Sequence, residues 1–521
     1  MSTITIERSE YEAMNTKITE LEVLVKYYQN QLLSAKRRMF GTSSEQTNID
    51  LRQLSLFANV DIIPPPEPET QEITYKRRKN IGKREEDLSG LPVERVEYEL
   101  KEAERACPEC GETMRDIGTD IRRELKLIPA KVVVVEHASH TYACRNCERT
   151  GGHVPFAKAR APKPLISGSL ASPSLVAHIA FQKYSNGLPL YRLENGFRYD
   201  NVSISRQTMA NWVIQCSEMY LEAIYGLLKE HLLKESILHA DETTVQVLNE
   251  PGRAAQTKSY EWIYRTSGCS KHKIAVYEYK ETRGQEHAKA FLKDFHGLLH
   301  TDGYQAYHNL PTGILVIGCW AHVRRKFENI LKKLPADKQK GSDAYCGVAY
   351  INALFDMERK FAALTPDERY EKRIEQSKPI ANAFFAWANG LGALPKSPIG
   401  EAVHYAMSQR KYLSNVFLDG RAEISNNRAE RTVKPFVMGR KAWLFSNTPA
   451  GARASSVMYS IIETAKENNL HPYRYMEYLL ETLPAITISD LYKLLPWSDS
   501  LPDYCRIPQK KEVPASGKKR S

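Results

Sequence analysis

A chain of 521 residues exceeds what one hydrophobic core usually serves, so two to four domains are expected, and its 42% hydrophobic content is that of a soluble globular protein. Lys and Arg outnumber Asp and Glu by 73 to 62, a formal charge of +11 that favours a polyanionic partner without naming one. No apolar run approaches the roughly 20 residues of a bilayer span, and MSTITIERSEYE lacks the apolar core of a secretory signal; a cytoplasmic protein with no membrane partner is expected.

In chain order, residues 1–45 come first. Tyr11, Met14, Ile18, Leu21, Val25, Tyr28 and Leu32 alternate in spacings of three and four, the a/d stripe of a heptad helix. The stripe suits a coiled coil, and hence a homodimer or higher oligomer, as well as it suits packing on its own domain. Residues 46–100 form a linker, with a Pro-rich, charged run from Asp61 to Asp87 whose basic cluster at Lys76 to Lys79 is solvated or touches phosphate.

Residues 101–160 carry Cys107-Pro-Glu-Cys110 and Cys144-Arg-Asn-Cys147, separated by a Val-rich strand-like stretch. Two such knuckles bring four thiolates onto one Zn²⁺, the layout of a zinc ribbon. Four thiolates leave no open coordination position, so the zinc is structural. The other five of the nine cysteines are scattered, which suits reduced thiols rather than a disulfide framework.

From 161 to 230 the pattern is three short helices joined by turns, a helix-turn-helix-like domain. Ser203 or Ser205 caps the third helix and sets Arg206, Gln207 and Asn211 near its start, where side chains reach bases or phosphates. A small connecting bundle is the alternative.

Residues 231–330 read as strands SILHADETTVQVL, SYEWIYRT and KIAVYEYK, then the helix GQEHAKAFLKDF, then strands GLLHTDGY and GILVIGCW. That order predicts the first part of an RNase H-like mixed sheet, with Asp241 ending the first strand and Asp302 the fourth, side by side. Two such carboxylates repel unless a cation lies between them, and hard oxygen ligands suit Mg²⁺ or Mn²⁺. Residues 331–415 read as a helical insertion, 416–470 as the second part of the core, and 471–521 as a C-terminal segment with a basic tail. In the second part Ser425 or Asn426 caps a helix whose first turns hold Glu430, the third acid. Glu423 precedes the cap, Glu242 is turned from Asp241 by strand alternation, and Glu430 itself has Lys434 at i+4 as an ordinary ion-pair partner. His322, Arg324, Arg325, Lys326, Arg431, Lys434, Arg440 and Lys441 are candidate contacts to a DNA backbone or else solvated helix faces. Trp443 is core or a stacking platform. The fold class is therefore multidomain α+β, an RNase H-like core with a helical insertion behind the coiled-coil, zinc-ribbon and helix-turn-helix-like segments.

The words HADET, HTDGYQAY, CWAHVRRKF and SNNRAERTVKPFVMGRKAWLF together resemble the transposases of the insertion sequence 66 family, members of the DDE group. FGTSSE from Phe40, the CxxC pairs, LPLYRLE near Leu188 and LLPWSD from Leu494 extend the likeness over nearly the whole chain. Lys434 departs from it, standing where an Arg is expected. The resemblance implies Asp241, Asp302 and Glu430 as a catalytic triad holding two divalent ions, about 3.5 to 4 Å apart. It implies double-stranded DNA as partner, both the element's terminal inverted repeats and a target, in a bacterial cytoplasm, with small companion proteins. Water cuts at the transposon end, and the freed 3′-hydroxyl then joins target DNA. Three rivals stand beside this reading: a non-catalytic DNA-binding regulator, an RNase H-like nuclease without strand transfer, and a zinc enzyme acting on small molecules. The three intact acids, the upstream DNA-end-binding segments and the closed zinc site weigh against them in turn.

Overall fold

The computed structural model describes residues 131–143 and 156–508, with isolated positions 93, 95, 113, 121 and 149. The heptad helix, the linker, the four knuckle cysteines Cys107, Cys110, Cys144 and Cys147, and the tail beyond 508 lie outside the described residues. The chain divides into two units, Met1–Leu125 and Lys126–Ser521, and everything below belongs to the second.

Strands β1 (Thr141–Ala143) and β2 (Phe156–Lys158) pair antiparallel. The valines at 132–135, read from sequence as strand, are exposed and belong to no strand among the described residues. β-propensity alone leaves backbone groups unpaired, and a strand exists only where a neighbour supplies them.

The three expected helices follow as α1 (Pro173–Ala180), α2 (Leu190–Tyr199) and α3 (Arg206–Cys216). Ser205, rather than Ser203, caps α3, its hydroxyl accepting from the Thr208 N–H at 3.1 Å. Met209, Trp212 and Val213 turn inward with Val176, Ile179, Leu193 and Phe197. A π turn, Ser217–Leu221, carries α3 without a break into α4 (Glu222–Leu233).

Next come β3 (Ile237–Gln246), β4 (Lys258–Thr266), β5 (Ala275–Lys280), α5 (Gln285–Phe291), β6 (Gly297–Thr301) and β7 (Ile314–Gly318). They build one five-stranded sheet in the order β5-β4-β3-β6-β7. The β3-β4 and β4-β5 pairs are antiparallel, as expected for three consecutive segments with short connections, while β3-β6 and β6-β7 are parallel. Aromatic and β-branched residues of β4, Trp262, Ile263 and Tyr264, are fully buried, with Tyr264 stacked on Phe291 of α5 at 3.7 Å.

After β7, α6 (Trp320–Leu331) leads into the helical insertion: α7 (Asp343–Lys360), α8 (Pro366–Lys372), α9 (Lys378–Gly390), α10 (Pro398–Ser408) and α11 (Arg410–Ser414). Trp320 and Phe327 of α6 enter an aromatic core with Phe384 and Phe385 of α9, separate from the core beneath the rest of the sheet. Buried Arg373 grips Glu358 through two bonds, 2.7 and 2.6 Å, and donates to the carbonyls of Asp419 and Ala422, tying the insertion to the returning chain.

That chain forms α12 (Asn427–Trp443), α13 (Pro449–Glu467) and α14 (Pro472–Thr482). α12 packs on β3 and β4, and α13 covers edge strand β5. Along α13, Ser460 and Thr464 stand one turn apart, and their hydroxyls accept from the backbone N–H groups of Tyr277 (2.8 Å) and Ala275 (3.1 Å). A helix thereby satisfies donors that a bare sheet edge would leave open to other chains.

Candidate active site

The parallel register pairs His239 of β3 with His300 of β6, so Asp241 and Asp302 each stand two residues beyond that rung. Asp302 ends its strand as expected. Asp241 does not: β3 continues to Gln246, because β4 pairs with it along its whole length while β6 pairs only as far as His239. Asp241 thus sits where β3 has lost its parallel neighbour and faces the gap beyond β6.

The two histidine rings stack at 5.0 Å with planes 5° apart, fully buried. Burial outweighs every other influence and holds both neutral, His239 at about 4 and His300 well below its usual value. His239 Nδ1 lies 2.9 Å from Asn426 Oδ1, and the Asn426 amide donates to the Ala240 carbonyl at 2.8 Å. His300 Nε2 lies 2.8 Å from the Glu423 carbonyl oxygen. Asn426 occupies the residue before α12, yet its side chain makes no cap bond, because that amide is committed to β3. Of the two expected caps, Asn426 is the N-cap by position, without the side-chain bond of a cap.

One carboxylate oxygen from each of Asp241, Glu242 and Asp302 lies within 4.8 Å of the others. This corrects the expectation that alternation removes Glu242. The Asp241 carboxylate curls back to accept the N–H of Glu242 at 2.8 Å, instead of standing upright on the sheet. Glu242 accepts from Arg283 Nε at 2.8 Å and from the Tyr307 hydroxyl at 2.7 Å, and the Arg283 guanidinium lies 3.6 Å over the ring of Tyr304. Burial, then the charges of Glu242 and Asp302, and least that of Glu430, push the Asp241 carboxyl well above its ordinary range. Burial and Asp302 likewise raise Glu242, against its bonds to Tyr307 and Arg283. Three hard carboxylate donors, one of them strongly disfavoured as an anion, are a set that a divalent cation relieves. The residues fit such an ion.

Glu430 is outside the group of three but close enough for its charge to reach Asp241. Its partner is not Lys434: Arg325 Nη2 donates to both its oxygens at 3.4 and 3.3 Å, and His322 Nε2 lies 3.7 Å away. His322 feels Glu430 and Asp302 together, although burial dominates and lowers its pKa. Glu423 is occupied elsewhere, by the N–H of Gly268 at 3.0 Å and by Arg428 at 2.7 Å. From the insertion, the Tyr405 hydroxyl donates to the backbone carbonyl of Asp302 at 2.8 Å.

The other candidates divide. Arg206, Gln207 and Asn211 are exposed on α3, with Gln207 bonded to Asn211 at 2.9 Å. Arg324 is bonded to Asn352 and paired with Glu328. Lys326 lies 5.3 Å over the ring of Tyr405. Arg431 and Lys441 are exposed, Lys434 is half-buried, and Arg440 reaches back to β3. Trp443 packs edge-on against core residue Phe436 at 5.5 Å. Arg283 and Tyr405 escaped sequence reasoning, each a lone residue on a connection or an insertion helix without periodicity or spacing to mark it; Tyr307 closes the HTDGYQAY word, but its bond to Glu242 was not foreseen.

Comparison with known proteins gives the class. A family model described as Transposase IS66 family matches residues 168–454, across all three candidate acids. The zinc-finger binding domain of transposase IS66 matches 104–148, which includes the four knuckle cysteines, and the IS66 C-terminal element matches 460–497. A model described as Transposase C of IS166 homeodomain matches 27–96. These matches place the chain among DNA-processing enzymes. It belongs to the IS66 family of transposases. The uncharacterized protein y4qI of Sinorhizobium fredii is 33% identical over 402 residues, covering 73% of this chain and 71% of that protein. Two more from that organism, y4hP and y4jD, are each 26% identical and cover 92% and 94% of this chain and 88% and 96% of their own lengths. No helix among the described residues is long and apolar enough to cross a membrane.

Proposed function

We propose that this transposase cuts DNA at the ends of its element and joins the freed 3′-hydroxyls to target DNA, in an RNase H-like core with Asp241, Asp302 and Glu430 as its acids. One observation carries the reading: parallel pairing of His239 with His300 sets the two aspartates side by side at the break between β3 and β6, beside the helix of Glu430. When bound, a pair of Mg²⁺ or Mn²⁺ ions supplies the Lewis acidity that activates the attacking oxygen and stabilises the departing one. Asp241 and Asp302 hold these ions from the sheet, and Glu430 from α12. Arg325 and His322 keep the Glu430 carboxylate from swinging to solvent. Lys326, Arg431, Lys434, Arg440 and Lys441 grip the DNA backbone, while α3 offers Arg206, Gln207 and Asn211 to the transposon end. Water adds to the end phosphorus as the bond to the 3′ oxygen breaks; the 3′-hydroxyl then adds to a target phosphorus, displacing a target 3′ oxygen. The four knuckle cysteines hold one structural Zn²⁺, and the N-terminal heptads pair two or more chains on DNA.

A second assignment of the third acid has its own support, since Glu242 and not Glu430 shares the 4.8 Å group. End cleavage and joining of labelled DNA in Mg²⁺ or Mn²⁺ tests both. Asp241→Asn and Asp302→Asn should each cost more than the roughly 10- to 100-fold typical of groups that only support a metal ligand. Glu430→Gln should match them. Full activity in Glu430→Gln, with none in Glu242→Gln, would transfer the role to Glu242.

A further inference from the structure

Beyond Asp241, between the second half of β3, the turn before β4 and the end of α12, lies a cavity of about 520 Å³, lined in part by Val245, Lys258, Arg440, Lys441 and Leu444. That size falls within the range of small-ligand sites, about 300 to 1,000 Å³. Among the described residues no carboxylate lines it. Arg440 is half-buried; its Nη1 donates to the hydroxyls of Thr243 and Thr244 at 3.2 and 3.0 Å, and burial lowers its pKa. No carboxylate among the described residues lies within ion-pairing distance of it. A partly desolvated cation with only neutral partners is poised for an anion.

Leu444 adds a second, independent sign. Its φ is 67°, the left-handed region that a leucine avoids, and it ends α12 with its N–H on the Arg440 carbonyl at 2.7 Å. Leu444 is 63% exposed. A strained residue presenting apolar surface to a cationic cavity is held there at a cost, and such strain collects at functional sites. The two threonines under Arg440 stand two and three residues beyond Asp241 on β3. At about 3.3 Å per residue that is roughly 7 to 10 Å, or about two to three nucleotides at the about 3.4 Å rise of a DNA strand.

We propose that this cavity seats one nucleotide of the strand flanking the scissile phosphate, its phosphate on Arg440 and Lys441 and its base against the exposed Leu444. The proposal rests on the DNA-cutting function argued above. It adds a base-accepting seat to what would otherwise be backbone contacts.

The test uses the full chain and duplex DNA carrying the element's own end, with 2-aminopurine placed in turn at the first four positions flanking the cut. A seated base leaves the stack, so fluorescence should rise severalfold at one or two adjacent positions. Leu444→Gly and Arg440→Gln should abolish the rise and weaken binding about tenfold. Leu444→Gly should melt at or above the wild-type temperature, since glycine adopts positive φ freely; a leucine that is merely structural would leave the fluorescence of that variant unchanged. No rise at any position, or an undiminished rise in both variants, overturns the proposal. Cleavage of the same DNA separates the two readings: a chain that cuts without brightening sinks the cavity alone, whereas one that brightens without cutting upholds the cavity and sinks the cleavage chemistry.

Discussion

The strands carrying Asp241 and Asp302 and the helix carrying Glu430 are held by different means. Backbone pairing places the aspartates: once β3 and β6 align in parallel with His239 opposite His300, the acids two residues on are neighbours whatever surrounds them. Glu430 is placed by side chains. Asn426 fixes the start of α12 to His239 and Ala240, and Arg325 with His322 fixes the carboxylate itself. Topology therefore secures two acids before any ligand arrives, while the third depends on contacts that a single substitution can shift.

The strongest way to break that comparison is Asn426→Ala. It strips a partner from the buried His239 ring and from the Ala240 carbonyl, at about 1 to 3 kcal/mol for each unsatisfied group, so urea melts should show a loss of about 2 to 6 kcal/mol. Cleavage should fall with it, as Glu430 drifts from the aspartates. A loss below about 1 kcal/mol would mean that strands and helix are secured independently.

Asp241→Asn gives the next effect, and its sign is opposite. The raised Asp241 pKa means that, above the ordinary value of 3.8, the folded protein retains a proton that the unfolded chain has released. Stability then falls as pH rises from that value through the raised one, and is not lost below it. In chelator at pH 7, Asp241→Asn should melt above the wild type, and the wild type should lose stability between pH 4 and 7 more steeply than the variant. Mn²⁺ should raise the wild-type melting temperature by binding the folded state and leave the variant nearly unmoved. A variant that melts lower in chelator would remove the argument that these carboxylates are held together against their own repulsion.

What the sequence disclosed follows the same division. Strand order, the helical insertion and the aspartate pair were readable because alternation and apolar runs are local signals, and the His-x-Asp echo marked both strand ends. The stacking of those histidines was not, since it depends on register. Asp241 was misplaced at the end of its strand because β3 has two neighbours of unequal length, which no single-strand pattern records. Glu242 was set aside by a rule of alternation that holds for Cβ directions and not for a carboxylate folded onto the backbone. Ser425 and Asn426 looked like helix caps by residue type; Asn426 has the right position but spends its amide across a sequence gap that no local window spans. Arg283 and Tyr405 were invisible for the same reason, as was the bond to Glu242 made by Tyr307 at the end of HTDGYQAY.

The mildest substitution sharpens the comparison most finely. Arg325 and Glu430 are 43% and 21% exposed, so their pair stabilises the fold by only about 0 to 1 kcal/mol, and Arg325→Gln should melt within about a degree or two of the wild type. Its effect belongs in function: with Glu430 free to rotate, cleavage should fall about 10- to 100-fold at limiting Mn²⁺ and recover partly at saturating Mn²⁺. Arg325→Lys should recover only part of the loss, because one ammonium cannot replace the two guanidinium nitrogens of which Nη2 holds both Glu430 oxygens while Nη1 lies 3.3 Å from His322 Nε2. An Arg325→Gln protein whose rate and metal dependence equal those of the wild type would show that Glu430 needs no such support, and would shift attention to Glu242, whose clamp by Arg283 and Tyr307 is already complete.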